Sequence, residues 1–183
     1  MPTSFPDHIT RIVQFCIKAA PRSVLDVGAG YGKYGHLIRE YCDKWPWSMT
    51  IDAVEPFPEY LKRIGCSAYD DVCEDDFLTA RLLQKYDLVL MIDVLEHFTR
   101  DDGERALAKA LEFGHAVIVS TPRAPAEQGA EYGNEYERHR SVWTDHDLAA
   151  AGFWCPWADG ISVIGLLMRE QVASTLHEAL ERA

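Results

Sequence analysis

A chain of 183 residues with 48% hydrophobic and 26% charged side chains can bury a substantial core unaided, and it reads as one globular domain. A net charge of −11 repels phosphate backbones, which excludes duplex DNA or bulk RNA as the expected partner, and it gains little from an anionic membrane. Five scattered cysteines without a CxxC pair, no signal-peptide pattern and no apolar stretch long enough to span a bilayer point to a reduced, cytoplasmic protein, as a monomer or homodimer.

The first predicted element is a helix opened by Phe5-Pro6-Asp7, with Ile9, Ile12, Val13, Cys16, Ile17 and Ala20 on one apolar stripe and Pro21 as its stop. It reads as packing for a sheet and a flank of a ligand cleft. Val24 to Val27 is a short buried strand, and the glycines Gly28, Gly30 and Gly32 follow it. Without a Cβ the backbone can turn sharply there and approach a ligand closely. Tyr34 to Cys42 then has helical spacing, so the helix N-terminus with its free N–H groups faces the turn. Two cofactor readings compete. Gly30-x-Gly32-x-x-Gly35, with Glu55 twenty residues beyond, formally fits a dinucleotide fingerprint, although its first glycine comes after the strand has turned at Gly28. The longer pattern, apolar-apolar-Asp-apolar-Gly-x-Gly-x-Gly, fits Val24 to Gly32 at every position and resembles motif I of the class I S-adenosylmethionine (SAM)-dependent methyltransferases. That resemblance implies cofactor-binding roles for Asp26, Gly28, Gly30 and Gly32.

Trp45-Pro46-Trp47 breaks the helix and reads as aromatic packing at its end. Thr50 to Val54 is the second strand, closed by Glu55-Pro56. A carboxylate at this strand end can accept hydrogen bonds from both cis hydroxyls of a ribose, and in the resembled family an acid here does so. As an alternative, Glu55 is a solvated charge. Pro58 to Ile64 is a short helix stopped by Gly65, and a third strand ends within the acidic run Tyr69 to Asp76. The resemblance places an acid there against the adenine amino group. Asp76, with Phe77 opening a helical run and covering the adenine, is preferred to Asp75; the same acids also suit a helix N-terminus.

Leu88 to Ile92 is a continuous apolar run, as expected of a central parallel strand, and leads into Asp93-Val94-Leu95-Glu96-His97. This resembles the fourth-strand signature of small-molecule methyltransferases, which implies that Asp93 and Val94 meet the amino-acid part of the cofactor. His97 is a candidate catalytic base or a hydrogen-bonded structural histidine. An amphipathic helix from Asp101 to Gly114 returns the chain to a fifth strand, His115 to Thr121, ended by Pro122. The stretch Arg123 to Val142 lacks periodicity, as a lid or binding loop does. Within it, Glu137 to Trp143 resembles a segment near the acceptor in the same family. His139 is the first candidate for general base, and Tyr136 and Arg140 are candidates for substrate binding; a salt-bridged surface loop is the alternative. No Asn-Pro-Pro-Tyr-like run supports amino-methylation of DNA bases.

Thr144 and Asp147 suit a capping box for a short helix ended by Gly152. Phe153 to Asp159 and Ile161 to Met168 read as a hairpin turning at Asp159-Gly160, and Glu170 to Arg182 as a closing helix. An antiparallel terminal hairpin favours the methyltransferase reading over a dinucleotide domain. No cysteine or histidine pair has zinc-ligand spacing, so no metal is expected. The expectation is therefore an α/β fold, a doubly wound Rossmann-like seven-stranded mixed sheet of order 3-2-1-4-5-7-6. Residues 1–22 form the N-terminal helix, 23–122 the cofactor-binding half, and 123–183 the acceptor loop and hairpin. By the resemblance it transfers a methyl group from SAM, leaving S-adenosylhomocysteine (SAH), to a small-molecule O, N or C nucleophile. An NAD-dependent oxidoreductase and a non-catalytic SAM-binding module are the alternatives.

Overall fold

The computed structural model describes residues 4–57, 59–64, 67–124 and 127–168. Its seven strands are β1 (Ser23–Val27), β2 (Thr50–Val54), β3 (Asp71–Cys73), β4 (Tyr86–Ile92), β5 (Gly114–Pro122), β6 (Trp154–Ala158) and β7 (Ser162–Met168), in the order β3-β2-β1-β4-β5-β7-β6. The first five pair with one another in parallel, while β7 pairs antiparallel with both β5 and β6. This is the expected topology.

The helices are α1 (Ile9–Ala19), α2 (Lys33–Tyr41), α3 (Glu59–Ile64), α4 (Arg100–Phe113) and α5 (Asp145–Ala150). Side chains alternate across a strand, so one apolar run feeds two cores. Leu25, Val27, Val89, Met91, Val117 and Val119 pack with Ala106, Leu107 and Ala110 of α4. Val24, Leu88, Leu90, Ala116 and Ile118 pack with Ile12 and Cys16 of α1 and Ile38 of α2. Burial on both faces explains why β4 carries no polar residue between Leu88 and Ile92.

The expected capping box is present: Thr144 Oγ1 accepts from the Asp147 N–H, and the Asp147 carboxylate accepts from the Thr144 N–H. Two expectations fail. Trp45 and Trp47 do not pack into the helix end; they stand 77% and 63% exposed and stack edge-to-face on each other. Phe77 does not open a long helix. A single turn forms at Asp76–Ala80, because Asp76 Oδ1 accepts from the Leu78 N–H and Lys109 Nζ donates to the Phe77 and Ala80 carbonyls, each at 2.6 Å. Those carbonyls are satisfied from α4 rather than by a continuing helix. Gly65 and the expected closing helix lie outside the described residues.

Candidate active site

The C-terminal ends of β1, β2, β4 and β5 open into a cavity of about 520 Å³ at the point where the strand order reverses between β1 and β4. Twelve sequence-derived candidates line it: Asp26, Gly28, Gly30, Glu55, Asp76, Phe77, Asp93, Val94, His97, Tyr136, His139 and Arg140. Gly32 does not. It sits behind the wall as the N-cap of α2, at φ +76°, where its N–H donates to the Ala29 carbonyl at 2.8 Å. Between the two acidic alternatives, Asp76 lies in the wall while Asp75 Oδ1 turns to its neighbours, accepting from the Asp76 N–H and the Thr79 hydroxyl.

The glycine turn is held from below. At Gly28, φ is +67°, and an added Cβ would stand 2.6 Å from Val94 Cγ2. Asp26, buried at the end of β1, accepts from the Tyr69 hydroxyl at 2.6 Å. Burial pushes its carboxyl up to about 6, partly offset by the donated hydrogen bonds of Tyr69 and the Gly35 N–H. Gly35 has a packing role, because a Cβ there would stand 2.4 Å from the Tyr69 ring. The third glycine of the formal dinucleotide fingerprint thus makes room for an aromatic side chain. Tyr69 carried no sequence signal beyond its place in an acidic run.

Glu55 ends β2 almost fully buried. Its Oε2 accepts from the Gly30 N–H at 2.8 Å and its Oε1 from the Phe57 N–H at 2.9 Å. Desolvation raises its carboxyl to about 7, against the lowering effect of those two donors. On the far side, Asp93 adopts φ +53°, a left-handed conformation that costs a non-glycine residue roughly 1–2 kcal/mol. The Ser120 hydroxyl donates to its Oδ1 at 2.6 Å, and its own N–H donates to the Ser120 carbonyl. The expected flank is also present: the Phe5 N–H donates to Asp93 Oδ2, and Lys33 Nζ donates to Ser4.

The aperiodic stretch after β5 is an ordered wall. The Arg140 and Ser141 N–H groups both donate to the Glu96 carbonyl, and Trp143, fully buried, donates its indole N–H to Ser141 Oγ. These bonds bring His139 against His97, ring centroids 5.0 Å apart at 64°. Burial, and secondarily the His139 ring, lower His97 to about 4, so it is neutral at physiological pH. Arg140 donates to the Glu135 carbonyl, and Tyr136 is half exposed at the rim. Sequence spacing gave no metal ligands, yet the fold gathers Glu96, His97 and His139 with one donor atom each within 4.8 Å of one another. Across the whole wall eight carboxylates face one lysine and one arginine: Asp26, Glu55, Asp76, Asp93, Glu96, Asp102, Glu131 and Glu137 against Lys33 and Arg140.

A methyltransferase domain profile matches residues 3–152, most of the chain. The chain belongs to the methyltransferase domain family. Several solved structures share the fold of this methyltransferase. The N-terminal domain of EvdMO1 with SAH bound has 16% identity over 91% of this chain and 83% of that chain, with a TM-score of 0.67. Magnesium protoporphyrin IX methyltransferase (ChlM) from Synechocystis PCC 6803, also with SAH bound, has 16% identity over 90% and 83% and a TM-score of 0.64. The N-methyltransferase NodS from Bradyrhizobium japonicum WM9 has 10% identity over 87% and 93% and a TM-score of 0.59. At these identities the likeness is one of fold. No curated protein sequence gives a significant match to this methyltransferase. Among the described residues no helix is long and apolar enough to cross a membrane.

Proposed function

We propose that this methyltransferase binds S-adenosylmethionine in the cavity and methylates a small-molecule nucleophile at O, N or C. The observation that carries the reading is the charge of the wall. Even with the raised Asp26, Glu55 and Glu96 carboxyls set aside, the wall's other acids, Asp76, Asp93, Asp102, Glu131 and Glu137, outnumber Lys33 and Arg140, so the cleft suits a ligand bearing an ammonium and a sulfonium and opposes the diphosphate of a nicotinamide dinucleotide. The SAH held by two proteins of the same fold supports it.

In this reading Glu55 accepts from the ribose hydroxyls, Asp76 from the adenine amino group, and Phe77 forms the apolar surface beside the base. Asp93 and Val94 flank the amino-acid portion, and Gly28 and Gly30 let the backbone approach it. When bound, the cofactor supplies an already electrophilic methyl group. The protein's work is to align the acceptor for in-line displacement, exclude water and accept a proton where the nucleophile is a hydroxyl. His139 and His97 stand at the acceptor end with a neutral ring available for that proton, and Tyr136 and Arg140 border the same space.

The test is calorimetric titration with SAH, with NADH in parallel. Micromolar binding of SAH alone is expected; binding of NADH alone would overturn the assignment. On an acceptor found by screening, His139→Ala is expected to lower turnover far more than SAH affinity.

A further inference from the structure

The Glu96, His97 and His139 cluster lies at the acceptor end of the cavity, and the cofactor reading makes no use of Glu96. Glu96 is 2% exposed, and its Oε2 accepts from the Thr121 hydroxyl at 3.0 Å. Its charged neighbours Asp93 and Glu137 are themselves acids. Among the described residues none of the ion pairs reaches it. A buried carboxyl group beside two acids is stable only with a proton or a cation on it, and the two imidazoles next to it are what make this a place for a cation.

Two imidazoles supply the rest of a ligand set. One donor atom from each of the three residues falls within 4.8 Å of the others, so small side-chain shifts bring all three to the roughly 2.0–2.2 Å that a divalent ion requires. The supporting contacts resemble those that orient metal ligands. Thr121 holds Glu96, the Arg138 carbonyl faces His97 Nδ1 at 3.4 Å, and the Glu96 carbonyl ties down the segment carrying His139 through two N–H groups. Because all three residues line the cavity, an ion here keeps open coordination positions toward it.

We propose that Glu96, His97 and His139 bind one divalent transition-metal ion, and that this ion takes the acceptor through two oxygens, as a vicinal diol or a hydroxy-carbonyl compound offers. Two nitrogens and one carboxylate oxygen suit ions such as Co²⁺, Mn²⁺ or Zn²⁺ over Mg²⁺. The acceptor half of the proposal rests on the methyl-transfer reading above; the metal half does not. On the ion, the acceptor hydroxyl releases its proton to solvent at neutral pH. The resulting oxygen forms the O–CH3 bond as the S–CH3 bond breaks, leaving neutral SAH. The histidines then act as ligands, and the ion performs the acidification otherwise asked of a base.

The experiment is titration of metal-free protein with Co²⁺, followed by visible absorption, with SAH binding measured on the same sample. One equivalent is expected to give ligand-field bands without thiolate charge transfer. His139→Ala and Glu96→Gln are each expected to weaken binding at least tenfold, and His146→Ala to leave it unchanged. Thermal melts show which variants fold, and His139→Ala, on the wall segment, keeps the test decisive if Glu96→Gln does not. No stoichiometric Co²⁺ binding, or equal binding by wild type and folded His139→Ala, overturns the proposal. SAH binding without Co²⁺ binding refutes the metal alone; Co²⁺ binding without SAH binding refutes the cofactor reading alone.

Discussion

Tyr69 donates its phenolic hydrogen to Asp26 across 2.6 Å, joining the segment before β3 to the end of β1 directly beneath the glycine turn. The two residues are 43 positions apart, and the ring fills the space that Gly35 leaves by lacking a side chain. Tyr69→Phe keeps the ring and removes the hydroxyl, leaving a buried carboxyl one donor short. A loss of about 1–3 kcal/mol in chemical denaturation is expected, with weaker SAH binding measured by calorimetry.

Gly35→Ala tests the same contact from the other side. Its Cβ would force the Tyr69 ring away and break the bond to Asp26. It is expected to destabilise at least as much as Tyr69→Phe, and the double variant to cost less than the sum of the two. Gly133→Ala is the control. It has φ +77° but open space around it, so its cost is expected to be the conformational one alone, roughly 1 kcal/mol.

Glu55→Gln should retain the fold and lower SAH affinity about tenfold or more, since an amide accepts ribose hydroxyls less well than a carboxylate. Circular dichroism and calorimetry together separate loss of fold from loss of binding. Unchanged affinity would remove Glu55 from the site.

Glu55 and Asp26 both bind protons more tightly in the folded chain than in the unfolded one, with carboxyls raised to about 7 and about 6. The stability they contribute is therefore greatest below about pH 4 and declines as pH rises to about 7, by up to about 1.4 kcal/mol per pH unit for each group. His97, lowered to about 4, acts in the opposite direction over the same range, so the Glu55 part is read from the difference in urea midpoint between the cofactor-free wild type and Glu55→Gln, which should fall as pH rises from about 4 to about 7.

Trp143→Ala should empty the space between Gly103 and the wall segment that carries His139. A Cβ at Gly103 would already stand 2.5 Å from the Trp143 ring. About 3–5 kcal/mol of stability is expected to be lost, with turnover falling more than SAH affinity, because the tryptophan anchors the segment that carries His139.

Much of this protein could be read from its residues in order. The continuous apolar run at Leu88–Ile92 marked a central parallel strand, because burial on both faces removes the need for alternation, and Val24–Val27 marked a short buried strand with one acid near its end. Glycines followed by helical spacing marked the turn between β1 and α2, and Asp159-Gly160 marked the hairpin. These signals are local: they depend on dihedral freedom and on periodicity within one element. What the tertiary structure decided was which distant groups meet. It turned Gly32 away from the cavity while leaving Gly28 and Gly30 on its wall, and it cut the turn at Phe77 short by supplying Lys109 from another helix. It also set Tyr69 under Asp26 and brought His139 to His97 and Glu96 through backbone bonds to a single carbonyl. Spacing along the chain carries no information about such meetings, since they are fixed by packing between elements far apart in sequence.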